Sequence, residues 1–197
     1  MSNIKLKIFI LAIFLVVLGI ICLSIFSSSK KENLYLSKSV NKFNLITHSN
    51  EKFDYKFFSN YPSLIFFGFL NCPDVCPFTL TKISEIINKL ENKSNFMRFY
   101  FVTVDPERDK IEELKEYLNV FHPKIIGVTG SNISIESFLK YMYVYKREIP
   151  LDNNNYTIDH SSQMFLFKKN GSFFGTISTN EKDNNILDKI NKLLNGA

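Results

Sequence analysis

The chain has 197 residues, a net charge of +5, 45% hydrophobic residues and three cysteines. That length allows one domain with appendages, and so few thiols exclude a disulfide-built scaffold. The lysines are scattered rather than clustered, so no basic patch for nucleic acid stands out.

Residues 8–26 carry no charge and are almost all apolar. At about 1.5 Å per residue such a run just spans a hydrocarbon core of about 30 Å. Lys5 and Lys7 precede it, and Lys30 and Lys31 follow. With the terminal amine counted, this balance places residues 1–7 in the cytoplasm and the rest beyond the membrane. A cleaved signal peptide is the alternative. The run is longer than the usual apolar core of such a signal, and only Ser27-Ser28-Ser29 offers a small-residue exit. Ile21 before Cys22 excludes lipoprotein processing, which needs a small residue there. Residues 27–42 read as a polar tether, and residues 43–197 as the folded domain.

Phe43 to Ile46 reads as a short strand, with a turn at Ser49-Asn50. Ser63 to Leu70 is an apolar, aromatic run, a buried central strand. Leu80, Ile83, Ile86, Ile87 and Leu90 recur at helical spacing, which predicts a helix over about 77–91. Phe99 to Val104 is a second central strand, ending in Asp105-Pro106-Glu107-Arg108-Asp109. Asp109 is placed to cap the next helix, marked by Ile111, Leu114, Tyr117 and Leu118. Ile125 to Val128 is a short strand stopped at Gly130, and Ser131-Asn132 starts a helix over 133–144. The alternation of Tyr141, Tyr143 and Tyr145 reads as packing. Residues 150–157 form a polar, Asn-rich loop. Met164–Phe167 and Phe173–Ile177 flank Asn170-Gly171, a hairpin turn. Ile186, Ile190, Leu193 and Leu194 mark a last amphipathic helix. Strands alternating with helices and a terminal hairpin predict an α/β, thioredoxin-like fold: a mixed central sheet with helices on both faces.

Between the first central strand and its helix lies Cys72-Pro73-Asp74-Val75-Cys76-Pro77. Proline is tolerated in a first helical turn and not deeper, so Pro77 marks that turn and Cys76 sits at or beside the N-cap. The positive end of the helix dipole favours thiolates, the form that binds soft metals or attacks disulfides. Buried, inert cysteines are the bland alternative. His160, in Asp159-His160-Ser161, precedes the strand near Met164, on the side of the sheet that faces the cysteine loop. Two thiolates and an imidazole make a three-coordinate soft site suited to copper(I) and able to hold copper(II). Zinc accepts the same donors but usually takes a fourth. Asp159 or a backbone carbonyl would orient the imidazole. His48 and His122 lie in a turn and beside a helix-ending proline, and read as structural. Asp105 and Asp109 stand at the carboxyl edge of the sheet, where capping explains them as well as function does.

Phe67-Gly68-Phe69 with the cysteine loop, Thr103 to Asp109, and Asp159-His160-Ser161 together resemble the SCO/SenC family of membrane-anchored copper proteins of cytochrome c oxidase assembly. The resemblance runs from about residue 43 to the C-terminus. It implies copper on Cys72, Cys76 and His160. It also implies delivery to, or redox preparation of, the dinuclear copper centre of oxidase subunit II, with other copper chaperones as further partners. The role expected is a metallochaperone rather than an enzyme. The alternative is a thiol-disulfide reductase in which Cys72 attacks and Cys76 resolves, the two closing to a disulfide bond. No Arg-rich amphipathic presequence precedes the apolar run, which favours a bacterial inner membrane with a periplasmic domain over a mitochondrial inner membrane.

Overall fold

A computed structural model describes residues 2–27, 36–153 and 155–196. The chain divides into two units, parted between Asn33 and Leu34. The first is helix α1, Ser2–Ser27, which carries the charge-free run. Its described side chains cover residues 7–21 and are exposed throughout. Among the described residues no helix is long and apolar enough to cross a membrane; residues 7–21 alone fall short of the about 20 that a span takes. Residues 28–35 of the expected tether, and the side chain of Cys22, lie outside the described residues.

The second unit opens with α2, Leu36–Ser39, and a 3-10 turn over Val40–Phe43. Leu36 and Val40, both within the expected tether, are fully buried. Their spacing of four puts both on one helical face, a signal hidden in a serine- and lysine-rich run. A hairpin follows, β1 (Leu45–Thr47) and β2 (Lys52–Phe53), turning at Asn50 with φ 61°. Next come β3 (Ser63–Gly68), α3 (Val75–Leu90), β4 (Arg98–Thr103), α4 (Ile111–Leu118), β5 (Ile125–Thr129) and α5 (Asn132–Tyr141). A second hairpin, β6 (Lys146–Pro150) and β7 (Tyr156–His160), precedes β8 (Met164–Phe167), β9 (Phe173–Ile177) and α6 (Asp183–Asn195).

Seven strands form one sheet in the order β2-β1-β5-β4-β3-β8-β9. The inner three run parallel and the flanking pairs antiparallel. Every residue of β3 is buried, as a strand covered on both faces requires. Phe66 meets Phe101, which meets Tyr117 of α4 on one face, while Phe67 meets Phe138 of α5 on the other. This is the expected α/β, thioredoxin-like arrangement with a mixed central sheet. Gly171 turns β8 into β9 with φ 77°, a conformation cheap only for glycine.

Two local expectations fail. Residues 150–157 are not one loop, because Pro150, Tyr156 and Thr157 belong to the β6–β7 hairpin, which forms its own two-stranded sheet. Asn153 and Asn155 lie in the turn between the two strands, and the paired strands are short and half exposed, so they carry no apolar signature. Of the three tyrosines, Tyr141 packs on Phe43 at 5.3 Å. Tyr143 has a left-handed backbone and is 79% exposed, and Tyr145 is half exposed, so neither is core.

Candidate metal centre

The carboxyl end of β3 delivers the chain into the cysteine loop. Helix α3 begins at Val75 with Asp74 as its N-cap, so Cys76 lies inside the first turn rather than at the cap, and Pro77 one residue further in. The reason is that several N–H groups at a helix start have no intrahelical partner, so proline is tolerated beyond the first position. Cys72 is half-buried and Cys76 fully buried, and neither is bridged. The Cys76 backbone N–H donates to Cys72 Sγ at 3.4 Å. A hydrogen bond from the Cys76 thiol, then a smaller one from His160, pulls the Cys72 thiol down to about 4 against the cost of burial. The same bond to Cys72, with burial, pushes the Cys76 thiol well above the thiol range. One thiolate and one thiol thus share the loop, the thiolate on the more accessible sulfur.

His160 ends β7, and its Nε2 stands 3.7 Å from Cys76 Sγ. Its Nδ1 lies 3.0 Å from the Ser161 carbonyl oxygen. A carbonyl only accepts, so Nδ1 is the donor there, and Nε2 is the ring nitrogen turned toward the sulfur. The backbone, and not the exposed Asp159, orients the imidazole. Phe69 sets its ring edge-on to the imidazole at 5.7 Å.

Sulfur and nitrogen bonds of about 2.3 and 2.0 Å meeting at about 120° separate the two donors by roughly 3.7 Å. Cys76 and His160 already hold that separation. Cys72 Sγ accepts the Cys76 backbone N–H at 3.4 Å, beside that pair. Among the described residues, no three His, Cys, Asp or Glu groups are drawn close enough to form a finished metal cluster. The pair is set and the third donor stands beside it.

Sequence reasoning missed the residues that make room. A Cβ on Gly68 would lie 2.8 Å from Cys76 Sγ and 2.7 Å from the Phe101 ring, so this glycine admits the sulfur. Asp109 does not cap α4; Lys110 holds that position with no side-chain cap bond. Asp109 is buried instead, accepting from Leu70 N–H at 3.2 Å and from the Thr103 hydroxyl at 2.6 Å, so it ties the cysteine loop to the end of β4. Its other oxygen has no partner among the described residues, and burial pushes its carboxyl up to about 6. Asp105 pairs with Arg108 and accepts from the Tyr156 hydroxyl at 2.9 Å. Arg108 lies 3.8 Å over the Tyr156 ring and donates to the Tyr156 carbonyl at 2.9 Å. These contacts clasp the strand that carries His160. Only the turn-like spelling of Asp105 to Asp109 hinted at them.

His48 and His122 sit apart from this centre. Each accepts a backbone N–H on Nδ1, from Gly127 at 2.7 Å and from Lys124 at 3.1 Å, and burial lowers the pKa of both.

The family model described as SCO1/SenC matches residues 32–195. The chain is 41% identical over 133 residues to a "SCO2-like protein" of Rickettsia prowazekii, covering 66% of this chain and 65%, just under two thirds, of that relative. It is 37% identical to a "SCO2-like protein" of Rickettsia typhi over 182 residues, which cover 87% of this chain and 89% of that one. A crystal structure of yeast Sco1 with copper bound is similar at a TM-score of 0.72 and 33% identity, covering 78% of this chain and 86% of that chain.

Proposed function

The chain belongs to the SCO1/SenC family, and from that we propose that it is a copper metallochaperone holding one copper ion on Cys72, Cys76 and His160. The cargo goes to the dinuclear copper centre of cytochrome c oxidase subunit II. The observation that carries this reading is the 3.7 Å approach of the His160 Nε2 to Cys76 Sγ, beside a second sulfur. A copper-bound structure of a relative at 33% identity supports it. Two sulfurs and one nitrogen leave copper(I) open to an incoming thiolate, so transfer proceeds by ligand exchange without prior release. Cys72, half-buried at the rim, is the donor that lets go first.

The N-terminal apolar helix is the proposed anchor, single-pass in a bacterial inner membrane, with the domain in the periplasm. Its charge-free run from 8 to 26 and the bacterial relatives support that placement.

A second reading rests on the same thiols. Cys72 has its pKa near 4 and is the more accessible, while Cys76 stays protonated behind it. In a thiol-disulfide reductase, Cys72 thiolate attacks a partner disulfide and forms a mixed disulfide, releasing one partner thiolate. Cys76 then displaces the second partner thiol, leaving a Cys72–Cys76 disulfide and a reduced partner. Reduction of the partner's copper-binding thiols would precede delivery, so one centre serves both steps.

The test is copper affinity of the full chain by competition with a chelator, in both oxidation states. We expect one copper per chain, and a loss of more than about tenfold in affinity for Cys72→Ser, Cys76→Ser and His160→Ala, the loss already typical of removing a mere ligand-supporting residue. Unchanged affinity in His160→Ala would remove the ligand set. Rapid reduction of a disulfide substrate by copper-free protein would favour the second reading.

A further inference from the structure

The opposite end of the sheet from the cysteines carries a cavity of about 310 Å³. Its walls include Lys93, Lys169, Tyr61, Phe96, Asn191 and Asn195. Pro62 and Phe96 precede β3 and β4, so this is the amino end of strands whose carboxyl ends hold the metal centre. Six-residue strands set the two about 20 Å apart. Neither Lys93 nor Lys169 is within ion-pair distance of a carboxylate among the described residues. Lys93 donates to Asn191 at 3.0 Å, and Arg98 stacks on Tyr61 at 3.6 Å beside them. Phe96 is 64% exposed on the rim. The chain enters the domain at this end: Leu36 N–H donates to the Gly171 carbonyl at 2.8 Å, and Asn60 N–H to the Lys169 carbonyl at 3.2 Å.

We propose that this end of the domain is a docking surface for an anionic bilayer, with Lys93 and Lys169 taking a lipid phosphate and Phe96 entering the headgroup layer. The chemistry matches on three counts. Ammonium groups with no carboxylate partner among the described residues meet a negative surface, amides at the cavity wall meet phosphate and glycerol oxygens, and an exposed ring meets the acyl boundary. Leu36, where the described part of the domain begins, is bonded at this same end. Docked this way, the domain turns its thiols away from the lipid, toward the soluble part of a membrane-bound partner. This deepens the proposed membrane location and rests on it.

The chain contains no tryptophan, so Phe96→Trp in the full chain provides a single reporter. The variant is reconstituted in vesicles of phosphatidylcholine alone and of phosphatidylcholine with phosphatidylglycerol. We expect a blue-shifted indole emission, quenched by brominated lipid, only where phosphatidylglycerol is present, and reversed by about 0.5 M salt. Adding Lys93→Gln and Lys169→Gln should lower surface occupancy by about fivefold per lysine. Identical emission in both vesicles overturns the proposal. So does a shift produced in phosphatidylcholine by inorganic phosphate alone, which would make the occupant a soluble anion. Release of the chain from phosphatidylcholine vesicles by an alkaline wash would defeat the anchor instead, and the phosphatidylglycerol-dependent shift is read independently of it.

Discussion

Asp109 shows how a single residue can be spelled for one role and used for another. It stands where a helix cap belongs, and capping would have left it solvated. Instead it is 1% exposed, with one oxygen bonded twice and the other bonded to nothing among the described residues. Burial lifts its pKa from 3.8 to about 6, so the folded state favours the neutral carboxyl. The stability this confers is present below the unfolded pKa and is lost as pH rises through about 6. The gap corresponds to roughly 3 kcal/mol at most. Asp109→Asn keeps an acceptor for Leu70 and Thr103 and removes the charge. Melting curves from pH 4 to pH 8 should show wild type losing stability relative to this variant across that interval. Parallel curves would show that Asp109 is not a buried titrating group.

The three proposed donors stood out in the sequence because cysteine and histidine are scarce in this chain and lie beside predicted element ends with a physical reason for reactivity. Their supports did not. Gly68 acts by lacking a side chain, the Ser161 carbonyl is backbone, and Phe69 reads as one more core aromatic until its ring is seen against the imidazole.

Among the elements, the β6–β7 hairpin matters most for the site, since it alone brings His160 across. It is joined to the main sheet by no ladder. The Asp105–Arg108–Tyr156 clasp holds its far strand, and Ser161 with Tyr145 holds its base through bonds of 3.1 and 3.0 Å. Arg108→Lys keeps the charge but loses the flat stack on Tyr156 and the forked donation. We predict faster hydrogen exchange in residues 156–160 and faster copper release by several-fold, with the β3 and β4 amides unchanged. Unaltered exchange in β7 would mean that the clasp does not position the histidine. Periodicity found the core strands and amphipathic helices because each buries a regular face. It missed this hairpin because a half-exposed ribbon held by polar contacts has no such face to repeat.

At the scale of the molecule, the domain has two chemically distinct ends. Two thiols and an imidazole gather beyond the carboxyl end of β3, while lysines with no carboxylate partner among the described residues and an exposed ring gather at the amino ends of β3 and β4. The sequence shows neither end as a patch, because each is assembled from segments that lie far apart along the chain. Alternation of strands and helices foretold the sheet; β3 of that sheet leads into the helix turn that holds Cys76, and the separate β6–β7 hairpin brings His160 to it across 84 positions. X-ray absorption at the copper edge, on the full chain loaded with one copper(I), tests this meeting most directly. The account predicts two sulfur neighbours and one imidazole nitrogen, with the imidazole lost in His160→Ala and one sulfur lost in each Cys72→Ser and Cys76→Ser. A spectrum without imidazole in the unmodified chain, or one that His160→Ala leaves unchanged, would contradict it.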